Sequence, residues 1–182
     1  MRKAIPPILM IVGAGLLGYV ASQYSRMANS QKQLEAEWQR QAAQVLSPSV
    51  APIREVLTRI VIPKIKLDAI VVEGDSRKQL LAGPGHLVET AAPGESGNAV
   101  ITAHRDTFFR RIYELSSGDE IKVLRNGRTF HYQVTGKKIV KPEDVSVLQP
   151  APDARLTLIT CYPTYYIGPA PERLVVFSRL VE

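Results

Sequence analysis

Cysteine is almost missing from this chain of 182 residues, where Cys161 stands alone. A single thiol cannot close an internal disulfide, so a disulfide-stapled scaffold is excluded even for an exported domain. Runs of one charge are missing as well. Lys and Arg number 23 against 17 Asp and Glu, a formal net charge of +6, yet the cations are scattered (Arg54, Arg59, Lys64, Lys66 and Arg77 among them). Without a basic stripe or an interleaved aromatic platform, nucleic-acid binding is disfavoured. The basic excess fits a solvated surface near an anionic membrane or wall polymer. Asp, Glu and His do not fall at metal-ligand spacing, and neither a metal nor a cofactor is expected. Long helical patterns between strands are also lacking beyond residue 58, which disfavours a parallel α/β sheet. Hydrophobic residues at 45% and charged residues at 22% are ordinary globular composition,. The length suits one domain with a tail, but hardly two.

One long apolar run is present. Met1-Arg2-Lys3 precedes an uncharged stretch over residues 4–21 that contains IPPILMIVGAGLLGYV. About 20 such residues cross a hydrocarbon core. Pro6 and Pro7 sit at its start, where interior helix hydrogen bonds are not yet at stake. A cleaved signal peptide and a retained anchor compete; Tyr19 stands where a cleavage site wants a small residue, which favours the anchor. Arg2 and Lys3 hold the N-terminus inside, against Arg26 and Lys32 on the other flank. Residues 30–45 are rich in helix formers, with Leu34, Trp38 and Ala42 at i, i+4 and i+8. That strip suits a solvated stalk, with contact to lipid as the alternative. Ser47-Pro48-Ser49-Val50-Ala51-Pro52 then reads as a linker. The expected division is a cytoplasmic tip and transmembrane anchor over 1–26, a stalk and linker over 27–52, and a β-barrel domain over 53–182. A fragment beginning near Val50 is expected to be a soluble, cooperatively folded monomer.

The remainder is strand country. Short β-branched runs bounded by Pro and Gly occupy 59–62, 69–72 and 99–103. Runs at 121–124 and 129–134 flank Arg125-Asn126-Gly127-Arg128, whose Asn-Gly is a strong two-residue hairpin signal. Segments 138–140, 156–161 and 173–181 complete about eight strands, with short helical pieces near 108–115 and 143–148. The expected fold class is mostly β: a closed, mostly antiparallel eight-stranded barrel behind an N-terminal transmembrane helix and helical stalk.

Cys161 ends the apolar strand Leu156-Thr157-Leu158-Ile159-Thr160 and precedes Tyr162-Pro163. It is either a buried small apolar residue, as free cysteines often are, or a reactive thiol at the barrel rim. His104 repeats the pattern, closing the 99–103 strand before Arg105-Asp106-Thr107. Arg173 opens the last strand after Gly168-Pro169-Ala170-Pro171-Glu172. Each alone is an ordinary strand-end residue. Together they allow a mechanism, because a thiol attacks as the thiolate that nearby positive charge favours. A histidine can protonate a leaving amine, and a guanidinium can hold a tetrahedral oxyanion.

Three runs carry a family resemblance: Thr102-Ala103-His104-Arg105-Asp106-Thr107-Phe108-Phe109, Thr157-Leu158-Ile159-Thr160-Cys161-Tyr162-Pro163, and Ala170-Pro171-Glu172-Arg173-Leu174-Val175-Val176. They look like sortases, most like class D, as do Gly83-Pro84-Gly85-His86, Pro93-Gly94-Glu95-Ser96-Gly97-Asn98 and Ile62-Pro63-Lys64-Ile65. The resemblance runs from about Arg59 to the end. It implies an eight-stranded sortase barrel whose Cys161 attacks a threonyl bond of an LPXTG-like sorting signal, with His104 as acid and base and Arg173 as oxyanion and substrate clamp. Partners would be proteins with such a C-terminal signal and an amine acceptor, a peptidoglycan precursor or a pilin. Thr160 and Tyr162 flank the thiol and are expected to line the substrate cleft. His86 matches a family position outside the triad and is expected to be structural, and His131 to face the surface in mid-strand. Arg105 is set aside because an extended backbone would turn its side chain away from His104. Pilus-building sortases often carry an Asp-Pro-aromatic lid; residues 51–57 have none, which tilts against pilin polymerisation.

Two rivals stand beside this. The first is another envelope enzyme, a wall-trimming cysteine hydrolase or an L,D-transpeptidase-like barrel; the latter would show a Ser-x-Gly-Cys surround, which Thr160-Cys161-Tyr162 lacks. An anchored binding module would hold Cys161 inert to thiol reagents. The anchored topology puts the barrel outside the cytoplasm, so protease added to intact spheroplasts is expected to degrade it. Full protection of the barrel would overturn that orientation.

Overall fold

β-Branched runs punctuated by Gly and Pro become strands because alternate side chains can then share one apolar interior. The computed structural model describes residues 5–45, 57–166 and 168–181. The linker expected at 47–52, the basic tip Arg2-Lys3, the lid region before Leu57 and the boundary at residue 53 lie outside them. The strands are β1 (Thr58–Ile62), β2 (Leu67–Glu73), β3 (Gly85–His86), β4 (Gly97–Thr102), β5 (Glu120–Arg125), β6 (Arg128–Val140), β7 (Ala154–Tyr162) and β8 (Glu172–Leu180). They close into a barrel in the order β1-β2-β3-β4-β7-β8-β6-β5. Neighbours are antiparallel except at β2–β3 and β4–β7, which are parallel. Ile60, Ile101, Ile121, Leu156 and Leu158 are fully buried within, joined by Phe109, Ile112 and Leu115 from the β4–β5 connection. Each such side chain contributes about 1.5–3 kcal/mol by leaving water. Tyr132 is buried among them and keeps its phenol satisfied by accepting the Gly94 N–H at 2.8 Å. The Asn126-Gly127 hairpin forms as expected, with φ of 53° and 70° and Arg125 paired to Arg128,.

The eight strands differ from the expected eight in two places. Segments 129–134 and 138–140 are one strand, β6, whose register against β8 shifts between Val134 and Gly136. The extra residue is absorbed as a bulge, so a break in the apolar pattern does not break the strand. The eighth strand is instead β3, only Gly85 and His86, wedged between β2 and β4. Two residues are too few to show any periodicity. Gly85 is needed there because a Cβ would lie 2.2 Å from the Gly74 carbonyl oxygen. The helical pieces expected at 108–115 and 143–148 shrink to single 3₁₀ turns, Ile112–Glu114 and Val145–Leu148. An unexpected helix, α2 (Arg77–Ala82), starts at a reciprocal Ser76/Gln79 capping box, a Ser-x-x-Gln signature legible in the sequence.

Anchor and stalk form one continuous helix, α1 (Ile5–Val45). It is the one helix among the described residues long and apolar enough to cross a membrane,. Leu9, Met10, Ile11 and Leu17 are each more than 70% exposed, which fits a candidate membrane span,. The second half is not a free stalk. The Gln31 side-chain amide accepts the Ile70 N–H at 2.9 Å and donates to the Ile70 and Ala82 carbonyls at 3.2 and 2.6 Å. Glu35 accepts from Arg59 at 2.8 Å, and that guanidinium lies 5.0 Å from the Trp38 ring centre. The stripe Gln31, Glu35 and Trp38 thus meets the barrel, because it recurs at helical spacing on one face. A fragment that begins near Val50 would expose the β2 edge that α1 covers. In the detergent-solubilised full chain, Gln31→Ala should cost about 1–3 kcal/mol by leaving part-buried backbone groups unpaired. Thermal unfolding checks this, and an unchanged midpoint would show that the contact carries no stability.

Candidate active site

Along β7 the side chains alternate: Leu156, Leu158 and Thr160 turn into the barrel, while Ile159 and Cys161 turn out,. The antiparallel neighbour β8 sets Arg173 opposite Cys161 and Val175 opposite Ile159. Paired residues project to the same face, so thiol and guanidinium share the outer surface near one rim. On the other side β4 runs parallel and ends with Thr102 opposite Ile159. Past that last pair the seam continues. The Ala103 N–H and the Thr102 hydroxyl both donate to the Ile159 carbonyl, at 3.2 and 3.1 Å, and the Thr160 hydroxyl donates to the Ala103 carbonyl at 2.8 Å. His104 lies two residues beyond the end of β4, and Cys161 two residues beyond Ile159, so both belong to the same rim of the barrel. All three residues are half-buried, accessible yet held by the barrel.

Arg173 donates from Nη1 to the Glu172 and Ala170 carbonyls at 2.9 and 3.3 Å. It lines a cavity of about 240 Å³ on the outer face, floored by Ile159, Val175 and Thr102 and walled by Pro142, Val145 and Leu148 of the β6–β7 connection. Asp144 on that wall accepts the Ser146 hydroxyl and its N–H, which hold its carboxyl below the usual range. Asp75 and Lys141 also line this trough, so its apolar floor is rimmed by charge, an arrangement that suits an extended peptide with Arg173 at one end,.

Thr160 and Tyr162 do not share the face of the thiol. Thr160 is 1% exposed with its hydroxyl spent on Ala103, and Tyr162 packs against the barrel core. The period-2 alternation that separates them from Cys161 was available in the sequence. The ground for setting Arg105 aside also fails, since β4 ends at Thr102 and Arg105 lies in a turn. Its guanidinium reaches the β7–β8 loop, a contact with no local sequence signal. His131 lies in mid-β6, partly exposed, 2.7 Å from Glu120.

Residues 60–181 match the family model described as Sortase domain. The chain is 38% identical over 121 residues to sortase D of Bacillus subtilis (strain 168), covering 66% of this chain and 61% of that one. It is 31% identical over 112 residues to sortase A of Bacillus anthracis, covering 59% and 53%. The chain therefore spans less than two thirds of the length of these curated relatives. In three dimensions it superposes on a sortase D5 transpeptidase of Clostridium perfringens with a TM-score of 0.70 at 26% identity, over 87% of this chain and 99% of the other.

Three strands from β8, His86 supports the barrel closure. It is 4% exposed, its Nδ1 lies 2.6 Å from a Glu73 carboxylate oxygen, and its Nε2 lies 2.9 Å from the Ala91 carbonyl. Both ring nitrogens face acceptors, so the imidazolium, which donates from both, suits the site. Burial by itself lowers its pKa, but the Glu73 carboxylate and the Ala91 carbonyl outweigh burial and raise it. A raised folded value gives stability that is complete below the unfolded pKa of about 6.5 and is lost as pH rises through the folded value. The melting-temperature advantage of the wild type over His86→Gln should therefore be largest in mild acid and shrink toward alkaline pH. An advantage that grew with pH would contradict the charged form.

Proposed function

The chain belongs to the sortase family, and on that premise we propose that it is a membrane-anchored cysteine transpeptidase with Cys161 as nucleophile, His104 as acid and base and Arg173 as oxyanion clamp. Its substrates would be proteins ending in an LPXTG-like sorting signal, cut at the threonyl bond. The acceptor would be an amine on a peptidoglycan precursor or a pilin. The anchor would be α1, with the barrel on the outer side of the membrane. The observation that carries this is the pairing of Arg173 with Cys161 at the rim to which the parallel strand β4, just before His104, also runs.

The chemistry follows from the groups themselves. The Cys161 thiolate adds to the threonyl carbonyl carbon, and the carbonyl π electrons move onto oxygen. That oxyanion is stabilised by fixed N–H donors, the role of the Arg173 guanidinium. The C–N bond then breaks as the His104 imidazolium gives its proton to the departing amine. A thioester remains on Cys161. An acceptor amine adds to it, His104 takes the proton the amine loses, and the C–S bond breaks to return the thiolate with a new amide formed. Splitting one acyl transfer into two easier steps is what covalent catalysis achieves.

Mass spectrometry of the protein incubated with LPXTG-type and LPXTA-type peptides should detect a thioacyl adduct on Cys161, abolished in Cys161→Ala. Arg173→Lys keeps charge but not the planar fork of donors, and should lower kcat by about 10²–10³, as loss of one oxyanion donor does. Absence of any adduct with either peptide would refute the transpeptidase reading. Near-wild-type turnover in Arg173→Lys would remove Arg173 from the site.

A further inference from the structure

Arg105 follows His104 in the chain, yet its side chain serves another loop. Its guanidinium donates from Nη1 to the Pro163 carbonyl at 3.1 Å and from Nη2 to the Gly168 carbonyl at 2.7 Å. It also lies 5.9 Å from the centre of the Tyr166 ring. Pro163 O accepts the Tyr166 N–H at 3.3 Å as well, so one cation grips a turn at two points and covers its aromatic residue. A second strut stands beside it: the Tyr113 and Tyr165 phenols are 2.7 Å apart, with their rings edge to face at 6.0 Å.

The gripped loop joins the two proposed reacting groups. It leaves Cys161 two residues before Pro163 and reaches Arg173 five residues after Gly168. Near its end, the Ala170 carbonyl accepts from Arg173 Nη1. The pose of the Arg173 fork therefore depends on where this loop lies. Backbone carbonyls hydrogen-bonded to a cation are held about twice as strongly as by a neutral donor. The planar fork fixes the directions of both donors at once, whereas an ammonium on a flexible stem leaves them free to turn.

We propose that Arg105 is a positioning residue for the transpeptidation, holding the β7–β8 loop at Pro163 and Gly168 and thereby fixing where Arg173 presents its donors to the oxyanion at Cys161. This rests on Cys161 and Arg173 being the reacting groups. Oxyanion donors act within a few tenths of an ångström, and a misplacement of about 1 Å can cost about 10²-fold in rate. The loop clamp links the segment after His104 to both other members of the trio without touching substrate itself.

The test combines loop order with a kinetic cycle on the full chain in detergent. In Arg105→Ala, chymotryptic cleavage after Tyr165 and Tyr166 should accelerate about tenfold at an unchanged melting temperature, and kcat should fall about 10–100-fold while KM moves less than about threefold. In an Arg173→Lys background the same change should cost less than about threefold, since its effect runs through Arg173. Arg105→Lys should recover little of the loss; if the alanine variant melts early, the lysine variant carries the same cycle. Unchanged loop cleavage, an equal kinetic cost in both backgrounds, or full rescue by lysine would each overturn the proposal. Thioacyl adduct formation by the unmodified chain separates the failures. With an adduct present, any of those results removes Arg105 alone; with none, the transpeptidase reading falls and takes this role with it.

Discussion

Because β4 and β7 run parallel, with Thr102 opposite Ile159, both strands deliver their next residues to the same rim of the barrel. An antiparallel pairing would have sent His104 and Cys161 to opposite ends. A parallel pair needs a long crossover between its strands, and here residues 103–153 make it by contributing β5 and β6 to the far side of the barrel. The seam is held beyond its last ladder pair by the hydroxyls of Thr102 and Thr160. β8 then returns antiparallel and places Arg173 across from Cys161. The proposed chemistry thus draws on one sheet direction, one buried threonine and one antiparallel return.

Closure elsewhere is less complete, and the helix compensates for it. β3 covers only the Val72–Glu73 end of β2, so the backbone at Ile70 would face outward without a partner strand. An open edge of this kind invites pairing with other chains. The Gln31 amide supplies both a donor and an acceptor there, standing in for one residue of a missing strand. Gly83 permits the approach, because a Cβ at that position would lie 2.6 Å from the Ile70 carbonyl and 2.7 Å from Gln31 Nε2.

Much of this was legible in the sequence, and the rest was hidden for definite reasons. β-Branched runs and Asn126-Gly127 announce strands and a hairpin because they act locally. Cys161, His104 and Arg173 stand out as polar or reactive residues at strand ends, and the quoted runs point to the family. A two-residue strand has no period, and the bulge at Thr135 looks like a boundary when it is only a shift of register. Parallel pairing of β4 with β7 leaves no local trace at all. Thr160 and Tyr162 flank the thiol in sequence, while strand alternation turns them to the other face. Arg105 follows a β-branched run, yet its backbone has already left the strand, and nothing local in the sequence marks where β4 stops. The docking of α1 was masked because Gln31, Glu35 and Trp38 read equally well as a solvated helix face.

The continuity of α1 constrains how far the barrel can search. Tyr24 is still 51% exposed at the end of the apolar stretch, and Gln31 is already bonded to the barrel. The seven helical steps from one to the other span about 10 Å. With the apolar half in a bilayer, as proposed, the catalytic domain would have almost no slack in its tether and would sit at a fixed standoff close to the headgroups. A sorting signal would then have to be delivered at that height, for instance by its own membrane retention. Collision would become a two-dimensional encounter rather than a sweep through the wall, and lengthening the helix by one turn would lift the whole barrel by about 5.4 Å while rotating it little.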